Sequence, residues 1–392
     1  MKRVKGVAVL GSTGSVGRNA LDVIARFPKR FRVTALCAGK SAAELTEQAR
    51  RFRPPFVCLS EEATVSRLGR LPPGTRVLIG EEGMSEAACA GETDIVLAAA
   101  AGVTSIRPVI AAARKGKRIA LANKELLVMA GKFLVEAARA GGGGILPVDS
   151  EHSAVFQAIE GHRKEDIARI ILTASGGPFR ARTSRQMRDA TVEEALGHPT
   201  WRMGAKISVD SATLMNKGFE VIEAMWLFGL PPSRIDVLIH PQSIVHSMVE
   251  YQDGSLIAQL GVPDMRIPIG YALSYPERLP LELPRLLPHR MDGWVFEPPD
   301  GKRFPALSLA YDAAKTGGTA PATLNAANEV AVGAFLAGRI RFTDIVRVVE
   351  KSRAAWRKAK RSVTLKDVLR ADAEARAETS RTISRMRRPR KP

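Results

Sequence analysis

Short apolar runs alternate with helical stretches along the first 150 residues of the chain. This alternation is typical of a parallel sheet flanked by helices. Seven runs are rich enough in β-branched and apolar residues to predict strands: Val7–Leu10, Arg32–Cys37, Phe56–Leu59, Arg76–Ile79, Ile95–Ala99, Arg118–Ala122 and Ile145–Val148. The pattern therefore predicts an α/β fold, with a doubly wound parallel sheet over residues 1–149.

The pattern changes after residue 150. One strand is predicted at Ile170–Thr173 and a long helix at Ser211–Phe228. Gln252-Asp253-Gly254 indicates a hairpin between the last two of three further strands, at Asp236–Ile239, Ile244–Tyr251 and Ser255–Leu260. Residues 150–275 are therefore expected to form a central α+β catalytic domain with antiparallel strands.

Recurring prolines in residues 276–304 predict an extended linker. Helical periodicity begins after it and predicts a small C-terminal helical domain over residues 305–392. Its helices are expected at Ala306–Ala314, Thr323–Ala337, Phe342–Ala359 and Leu365–Glu378. A frayed basic tail is expected over Arg381–Lys391.

Composition narrows the class of protein. The 392 residues are 45% hydrophobic and 25% charged, as in ordinary globular proteins, which excludes a disordered or collagen-like chain. Three cysteines without metal-ligand spacing favour a reducing cytoplasm over a disulfide scaffold or a zinc site. No apolar run reaches the roughly 18 residues of a membrane span.

The net charge of +19 is the one anomaly, and a basic nucleic-acid-binding protein is therefore kept as an alternative. Residues 351–392 contain 15 basic and 4 acidic residues, a net charge of +11, so more than half of the excess lies at the C-terminal end. The chain contains no recognisable DNA- or RNA-binding motif.

The first strand leads directly into Gly11-Ser12-Thr13-Gly14-Ser15-Val16-Gly17 and then into a helix. Glycines in such a loop let the backbone approach a pyrophosphate, whose charge meets the amides of the helix N-terminus, as in the Rossmann-like dinucleotide folds. The alternative is a glycine-rich turn without a ligand. Ala38-Gly39-Lys40-Ser41 comes after the second strand, where an NAD site would have a carboxylate, so NADPH is favoured.

Asn123-Lys124-Glu125 comes after the sixth strand, at the carboxyl edge where ligands collect in such folds. The alternative for this segment is an ordinary helix N-cap. Asp149-Ser150-Glu151 closes the seventh strand, and an extended backbone would direct both carboxylates to one spot, as a divalent cation requires. A solvated pair that caps the next helix would explain the same residues.

Asn216, Lys217 and Glu220 share one face of the long predicted helix. Asn and Lys suit a phosphate oxygen and Glu suits a divalent metal, whereas an exposed Lys–Glu salt bridge is the alternative.

Two further segments surround these candidates. In Ala174-Ser175-Gly176-Gly177 the glycines expose amides and a hydroxyl to an anion. The segment from His198 to Gly204 has the aromatic cover and flexible backbone of a lid, although Trp201 and Met203 could equally pack in the core.

In this order the motifs closely resemble the 1-deoxy-D-xylulose 5-phosphate reductoisomerase family. They are GSTGSVG, ANKE, LPVDSEH, ASGGPF, HPTW, KISVDSATLMNKG, IHPQSIVHSMVEYQDGS and LNAANEVAV. The resemblance implies three domains, a homodimer built partly on the antiparallel strands, NADPH, and Mg²⁺ or Mn²⁺. It also implies isoprenoid precursor biosynthesis: rearrangement and reduction of the sugar phosphate to 2-C-methyl-D-erythritol 4-phosphate, by a retro-aldol or ketol-shift route.

The resemblance also assigns roles. The metal ligands are Asp149, Glu151 and Glu220. The phosphate cradle is Ser175, Ser211, Asn216 and Lys217, the sugar contacts are Lys124, Ser150 and His198, and the lid is Trp201 and Met203. Lys124, Glu151, His198 and Glu220 are the catalytic residues. The cofactor contacts are Thr13, Gly14, Ser15, Val16, Gly39, Lys40, Ser41, Asn123, Glu125 and Gly204.

Two positions depart from the family pattern, with Ser41 in place of an asparagine and Val16 in place of an isoleucine.

A different NADP-linked, metal-assisted dehydrogenase is the alternative enzyme, and it would share only the first domain. Neither a membrane nor a nucleic acid is expected as a partner.

Overall fold

The computed structural model describes residues 3–100, 102–201, 203–287, 291, 293–356 and 363–386. The chain divides into two compact units. The first consists of Met1–Leu127, Gly131–Ser153 and Asp264–Pro284, and the second of Val128–Ala130, Ala154–Pro263 and Arg285–Pro392. In the described ranges, no helix combines the length and the apolar character that a membrane span requires.

The first unit contains a seven-stranded sheet in which every pair of neighbours is parallel. Its strands are β1 (Lys5–Leu10), β2 (Phe31–Ala38), β3 (Phe56–Leu59), β4 (Arg76–Ile79), β5 (Ile95–Ala98), β6 (Arg118–Leu121) and β7 (Ile145–Pro147). Their spatial order is β4-β3-β2-β1-β5-β6-β7. The predicted doubly wound fold is thus confirmed, and β3 and β4 have the predicted bounds.

Five helices are interleaved with these strands along the chain. They are α1 (Ser15–Arg26), α2 (Ala42–Phe52), α3 (Gly80–Cys89), α4 (Ile106–Arg114) and α5 (Glu125–Gly141). The strand order reverses at β1, whose neighbours are β2 on one side and β5 on the other. Ligands of such sheets bind beyond the carboxyl ends of the strands at this reversal, which is where the Gly11–Gly17 loop leaves β1.

The first unit also contains α11 (Arg266–Ser274), which the sequence pattern did not predict. Seven of its nine residues are buried, so the helix lacks the polar face that marks an amphipathic helix in a sequence. Contacts within the unit anchor the residues just after this helix: Arg118 donates to the Tyr275 carbonyl at 2.9 Å, and Arg30 pairs with Glu277 at 2.7 Å.

The second unit contains a four-stranded sheet of order β11-β10-β8-β9. Its strands are β8 (Ile167–Ala174), β9 (Ile235–Ile239), β10 (Val245–Tyr251) and β11 (Leu256–Leu260). The pairs β10–β11 and β10–β8 are antiparallel as predicted, but β8 and β9 are parallel. The sheet is therefore mixed, because the chain between β8 and β9 crosses over through several helices.

The helices between residues 150 and 234 are α6 (Ser150–Ile159), α7 (Ser184–Arg188), α8 (Val192–Leu196), α9 (Ala205–Thr213) and α10 (Met215–Phe228). The predicted continuous helix Ser211–Phe228 is wrong. The helix breaks at Leu214, whose φ of +61° is left-handed, and the Thr213 hydroxyl accepts the Met215 amide at 3.3 Å. Ser211 consequently lies on α9 and the Asn216–Glu220 face on α10.

The C-terminal helices are α12 (Pro305–Thr316), α13 (Ala320–Leu336), α14 (Phe342–Lys351), α15 (Arg353–Trp356) and α16 (Leu365–Ser384). The predicted helix Phe342–Ala359 is interrupted at Ser352, and its last predicted residues lie outside the described ones. Between Ser274 and Pro305 the described residues form only one isolated bridge, Glu297 to Ile239.

The last helix is longer than predicted. It runs to Ser384 and buries Ile383, so the expected tail cannot begin at Arg381, and residues 387–392 lie outside the described part. Several of its basic residues are paired: Arg370 with Asp367 at 2.8 Å and Arg381 with Glu378 at 2.7 Å. Part of the positive excess is therefore neutralised within the helix itself.

Candidate functional site

The glycine loop lies tightly against neighbouring backbone. Gly11 has a φ of +89°, and a Cβ there would lie 2.5 Å from the Ala99 carbonyl oxygen. A Cβ on Gly17 would lie 2.3 Å from the Gly11 carbonyl oxygen. Both positions therefore require glycine.

The amides at the end of the loop are suited to an anion. The backbone N–H groups of Gly11 and Ser12 both donate to the Cys37 carbonyl at 2.8 Å, which holds the loop over the sheet. Helix α1 has Gly14 as its N-cap, with no capping side chain and no acidic residue in its first turn. Its N-terminal amides thus present the positive end of the helix without a competing carboxylate.

The segment Gly39-Lys40-Ser41 is exposed at the end of β2. Lys40 lies 3.3 Å from a carboxylate oxygen of Glu61, an exposed and therefore weak ion pair. Nearby, Arg18 forms a two-pronged contact with Glu44, at 2.6 and 2.7 Å, and so links α1 to α2.

Asn123 lies just before helix α5, whose N-cap is Lys124. Its Oδ1 accepts the Glu125 amide at 3.1 Å, while its Nδ2 donates to the Ala100 carbonyl at 2.5 Å. Lys124 has a different role: its buried ammonium group forms an ion pair with Asp149.

Helix α6 begins at Ser150, which corrects the prediction of an extended Asp149-Ser150-Glu151 segment. The Ser150 amide donates to Asp149 Oδ1 at 3.1 Å, and the Ser150 hydroxyl donates to Glu151 Oε2 at 2.7 Å. Oxygens of Asp149 and Glu151 still lie within 4.8 Å of each other. The helix turn therefore gathers the carboxylates that strand alternation was expected to gather.

Three side chains on α10 form one buried polar cluster. Lys217 pairs with Glu220, and their side chains are only 4% and 1% exposed. Asn216 Nδ2 donates to the other oxygen of Glu220 at 2.6 Å. The Lys–Glu pair considered as an alternative is present, but it is buried, where an unpaired charge would be strongly destabilising.

The Ser175 and His198 side chains are in direct contact. Ser175 Oγ lies 3.0 Å from His198 Nε2 and also accepts the Gly177 amide at 3.2 Å. His198 Nδ1 accepts two backbone amides, from Thr200 at 3.1 Å and Trp201 at 2.9 Å. Since Nδ1 must be unprotonated to accept them, Nε2 carries the proton and donates it to Ser175.

Ser175 also lies close to helix α9. Gly176 and Gly177 have φ values of +86° and +69°, and a Cβ on Gly177 would lie 2.6 Å from the Ser211 carbonyl oxygen. The fold thus places the main chain next to Ser175 against that of Ser211, so two segments of the predicted phosphate cradle lie together.

The lid residues Trp201 and Met203 are half-buried, and Gly204 is the N-cap of α9. Residue 202 lies outside the described part.

Upstream of the lid, the Arg182 side chain and the Thr191 amide lower the pKa of Glu194 to about 2. This carboxylate, which caps α8 just before His198, therefore stays ionised at neutral pH.

The predicted residues are divided between the two units. The first contains Lys124, Asp149, Ser150, Glu151 and the cofactor set apart from Gly204. The second contains Ser175, His198, Trp201, Met203, Gly204, Ser211, Asn216, Lys217 and Glu220.

Sequence reasoning assigned no role to His152 or Asp210. His152 is fully buried, and a ring nitrogen lies within 4.8 Å of an Asp149 oxygen. Its spacing of three residues from Asp149 could have indicated this once the helix was known. Asp210 is only 1% exposed, and no local pattern marks a buried aspartate.

Three family models match the chain. The model described as 1-deoxy-D-xylulose 5-phosphate reductoisomerase matches residues 7–131. Two models of the C-terminal domains of the same enzyme match residues 145–228 and 260–378.

Similar proteins carry the same name. The enzyme of Anaeromyxobacter dehalogenans is 54% identical over 88% of this chain and 89% of its own. That of Chlorobaculum tepidum is 50% identical over 97% and 100%. The solved reductoisomerase of Zymomonas mobilis, in complex with NADPH, has a TM-score of 0.90 and 42% identity over 98% of this chain and 100% of its own. A reductoisomerase with NADPH, fosmidomycin and magnesium has a TM-score of 0.91 and 40% identity over 97% and 98%.

The His198 geometry predicts its tautomer. Nitrogen NMR of ¹⁵N-histidine-labelled protein should show a protonated Nε2 and an unprotonated Nδ1 whenever the ring is neutral. Exposed His162 serves as the comparison. A signal assigned through His198→Asn that shows a protonated Nδ1 would contradict the contact with the Thr200 and Trp201 amides.

Proposed function

Because the chain belongs to the 1-deoxy-D-xylulose 5-phosphate reductoisomerase family, we propose that it converts this sugar phosphate to 2-C-methyl-D-erythritol 4-phosphate with NADPH and a divalent cation. The observation that carries the proposal is the match to family members along almost the whole chain. The product is a precursor in isoprenoid biosynthesis.

NADPH binding is assigned to the first unit and Gly204. The amides of Thr13, Gly14, Ser15 and Val16 at the start of α1 would meet the pyrophosphate. Gly39, Lys40 and Ser41 would meet the 2′-phosphate, and the Lys40 ammonium can exchange the weak Glu61 contact for a dianion. Asn123, Glu125 and Gly204 complete the proposed set.

Asp149, Glu151 and Glu220 are the proposed ligands of Mg²⁺ or Mn²⁺. The donor set fits, because such hard cations prefer carboxylate oxygens and two of these carboxylates already lie within 4.8 Å of each other. When bound, the cation would supply Lewis acidity toward the carbonyl and hydroxyl oxygens of the substrate, and NADPH would supply the hydride.

Ser175, Ser211, Asn216 and Lys217 are the proposed phosphate cradle. The Ser175 oxygen already accepts two hydrogen bonds, so its own proton is directed away from Gly177 and His198 and can be donated to a phosphate oxygen. Lys217 supplies the positive charge, with its ammonium held against Glu220 until an anion arrives.

Lys124, Ser150 and His198 are proposed to contact the sugar, and Lys124, Glu151, His198 and Glu220 to be catalytic. Lys124 neutralises Asp149, while Ser150 orients Glu151 through its hydroxyl. Trp201 and Met203 would close over the substrate and exclude water from a reactive intermediate. Because the Trp201 amide binds His198, lid position and ring orientation are linked.

The segments keep their proposed roles: cofactor binding for residues 1–149, catalysis for 150–275, a linker for 276–304 and a helical domain for 305–392. A cytoplasmic location is proposed because the three cysteines fit a reducing compartment. Neither a membrane nor a nucleic acid is proposed as a partner.

We further propose a homodimer that uses the sheet of the second unit. Strand β11 lies at an edge of this sheet, and Leu256 is 54% exposed. Light scattering should give about twice the chain mass of 42.4 kDa, and a mass near one chain would contradict the dimer.

The proposed activity is tested by following NADPH oxidation with purified protein. Oxidation should require both 1-deoxy-D-xylulose 5-phosphate and Mg²⁺ or Mn²⁺, and a chelator should stop it because the cation polarises the substrate oxygens. Product identity is checked by mass spectrometry. Unchanged oxidation without the sugar phosphate would indicate a different NADP-linked dehydrogenase.

The metal role of Glu220 predicts a selective loss. Glu220→Gln should lower kcat at least about 100-fold, since an amide replaces an anionic ligand, and should leave the NADPH dissociation constant unchanged. Glu350→Gln, the same change on the exposed face of α14, is the control. Equal losses of turnover and NADPH affinity in Glu220→Gln would argue against the ligand assignment.

A further inference from the structure

Asp210 is a buried carboxylate with a separate partner for each oxygen. Oδ1 accepts a hydrogen bond from Asn328 Nδ2 at 2.7 Å, and Asn328, on α13, is fully buried. Oδ2 forms an ion pair with Lys206 Nζ at 2.9 Å, one turn earlier on α9. The contact joins two motif residues to which the proposed function assigns no role, the aspartate of KISVDSATLMNKG and the second asparagine of LNAANEVAV.

Stability alone does not account for this arrangement. Burying a carboxylate requires its removal from water, and an apolar residue of similar shape often packs as stably in such a position. What the carboxylate adds is direction: its Oδ1 is tied to Asn328 on α13, which restrains the rotation of α9, while Lys206, on α9 itself, holds Oδ2 and so orients the carboxylate.

The rotation of α9 determines where the Ser211 hydroxyl lies, because Ser211 is the residue next to Asp210 on the same helix. The Asp210 carbonyl accepts the Thr213 hydroxyl at 3.1 Å, and the Thr213 oxygen in turn accepts the Met215 amide at 3.3 Å. The main chain at Asp210 is thus connected through hydrogen bonds to the first residue of α10, the helix of Asn216 and Lys217, so a shift of α9 at Asp210 is passed on to α10.

Lys206 extends the connection toward the lid. It lies two residues after Gly204, and its ammonium group is 5.0 Å from the centre of the Phe219 ring on α10. Lys206 belongs to α9, and its ammonium group lies over a ring of α10. It therefore links the two helices on either side of the Leu214 break.

We propose that Asp210 is a positioning residue, held by Asn328 and Lys206, that sets the relative placement of Ser211 on α9 and of Asn216 and Lys217 on α10. The inference rests on the proposed function, in which these three side chains bind the substrate phosphate. The C-terminal helix α13 then contributes to substrate binding without touching the substrate.

Asp210→Asn tests the proposal in the full-length protein. It should raise KM for 1-deoxy-D-xylulose 5-phosphate about tenfold or more and change kcat less, because the phosphate contacts are misplaced while the reacting groups remain. The dissociation constant of NADPH, measured by fluorescence titration, should not change. Asp312→Asn, which removes a half-exposed ion pair with Arg353 on the helical side of the same unit, should leave both constants as they are.

An exchange of the two partners separates positioning from general packing. The double variant Asp210→Asn with Asn328→Asp restores an amide–carboxylate hydrogen bond between α9 and α13. Its KM should return toward the wild-type value and lie below that of Asp210→Asn and of Asn328→Ala. If Asp210→Asn does not fold, as judged by circular dichroism, the same measurements on Asn328→Ala decide, because this variant removes the donor to Oδ1 and leaves the Asp210 carboxylate in place.

Two results would overturn the proposal. One is a folded Asp210→Asn whose KM stays within about twofold of wild type while only its melting temperature falls. The other is an exchange variant that binds the sugar phosphate no better than the single variants. Both leave the proposed function intact if the wild-type protein turns over the sugar phosphate, whereas an inactive wild-type protein would remove the proposed function and this inference together.

Discussion

The buried pair of Lys217 and Glu220 is the constraint on which the candidate site depends. Neither charge could be buried alone, and both side chains are almost completely removed from solvent. In the proposed function Lys217 turns to the substrate phosphate, which leaves the Glu220 carboxylate in need of another cation. A divalent cation held there would meet that need, so in the proposed function the binding of the phosphate and the binding of the metal would support each other electrostatically.

The candidate site also requires that certain segments approach each other closely through their main-chain atoms. The glycine loop at Gly11 lies against the Ala99 carbonyl, and the turn at Gly177 lies against the Ser211 carbonyl. A side chain at either glycine would separate the two segments and displace the polar groups that each carries. In both units, therefore, segments that carry candidate site residues are placed by contacts between main-chain atoms.

Much of the fold could be predicted from local pattern. Phe56–Leu59 is mostly buried and produces a short apolar run with the predicted bounds, and the exposed edge strand Arg76–Ile79 also has the predicted bounds. Helix α11 was missed because burial on all sides removes the alternation of polar and apolar positions. The parallel pairing of β8 with β9 was missed as well, since pairing direction depends on the path of the chain between strands and not on their composition.

The sequence by itself identified the candidate residues of the site and their order. Phosphates and cations each require particular polar side chains, and tight turns require glycine. The sequence also determined the strand–loop–helix unit at Gly11–Gly17, whose signal is local. Only the tertiary structure decided that α6 begins at Ser150, that Leu214 separates Ser211 from Lys217, and that Asp210 is paired with Asn328. These features depend on partners distant in the sequence and on burial, which local periodicity does not record.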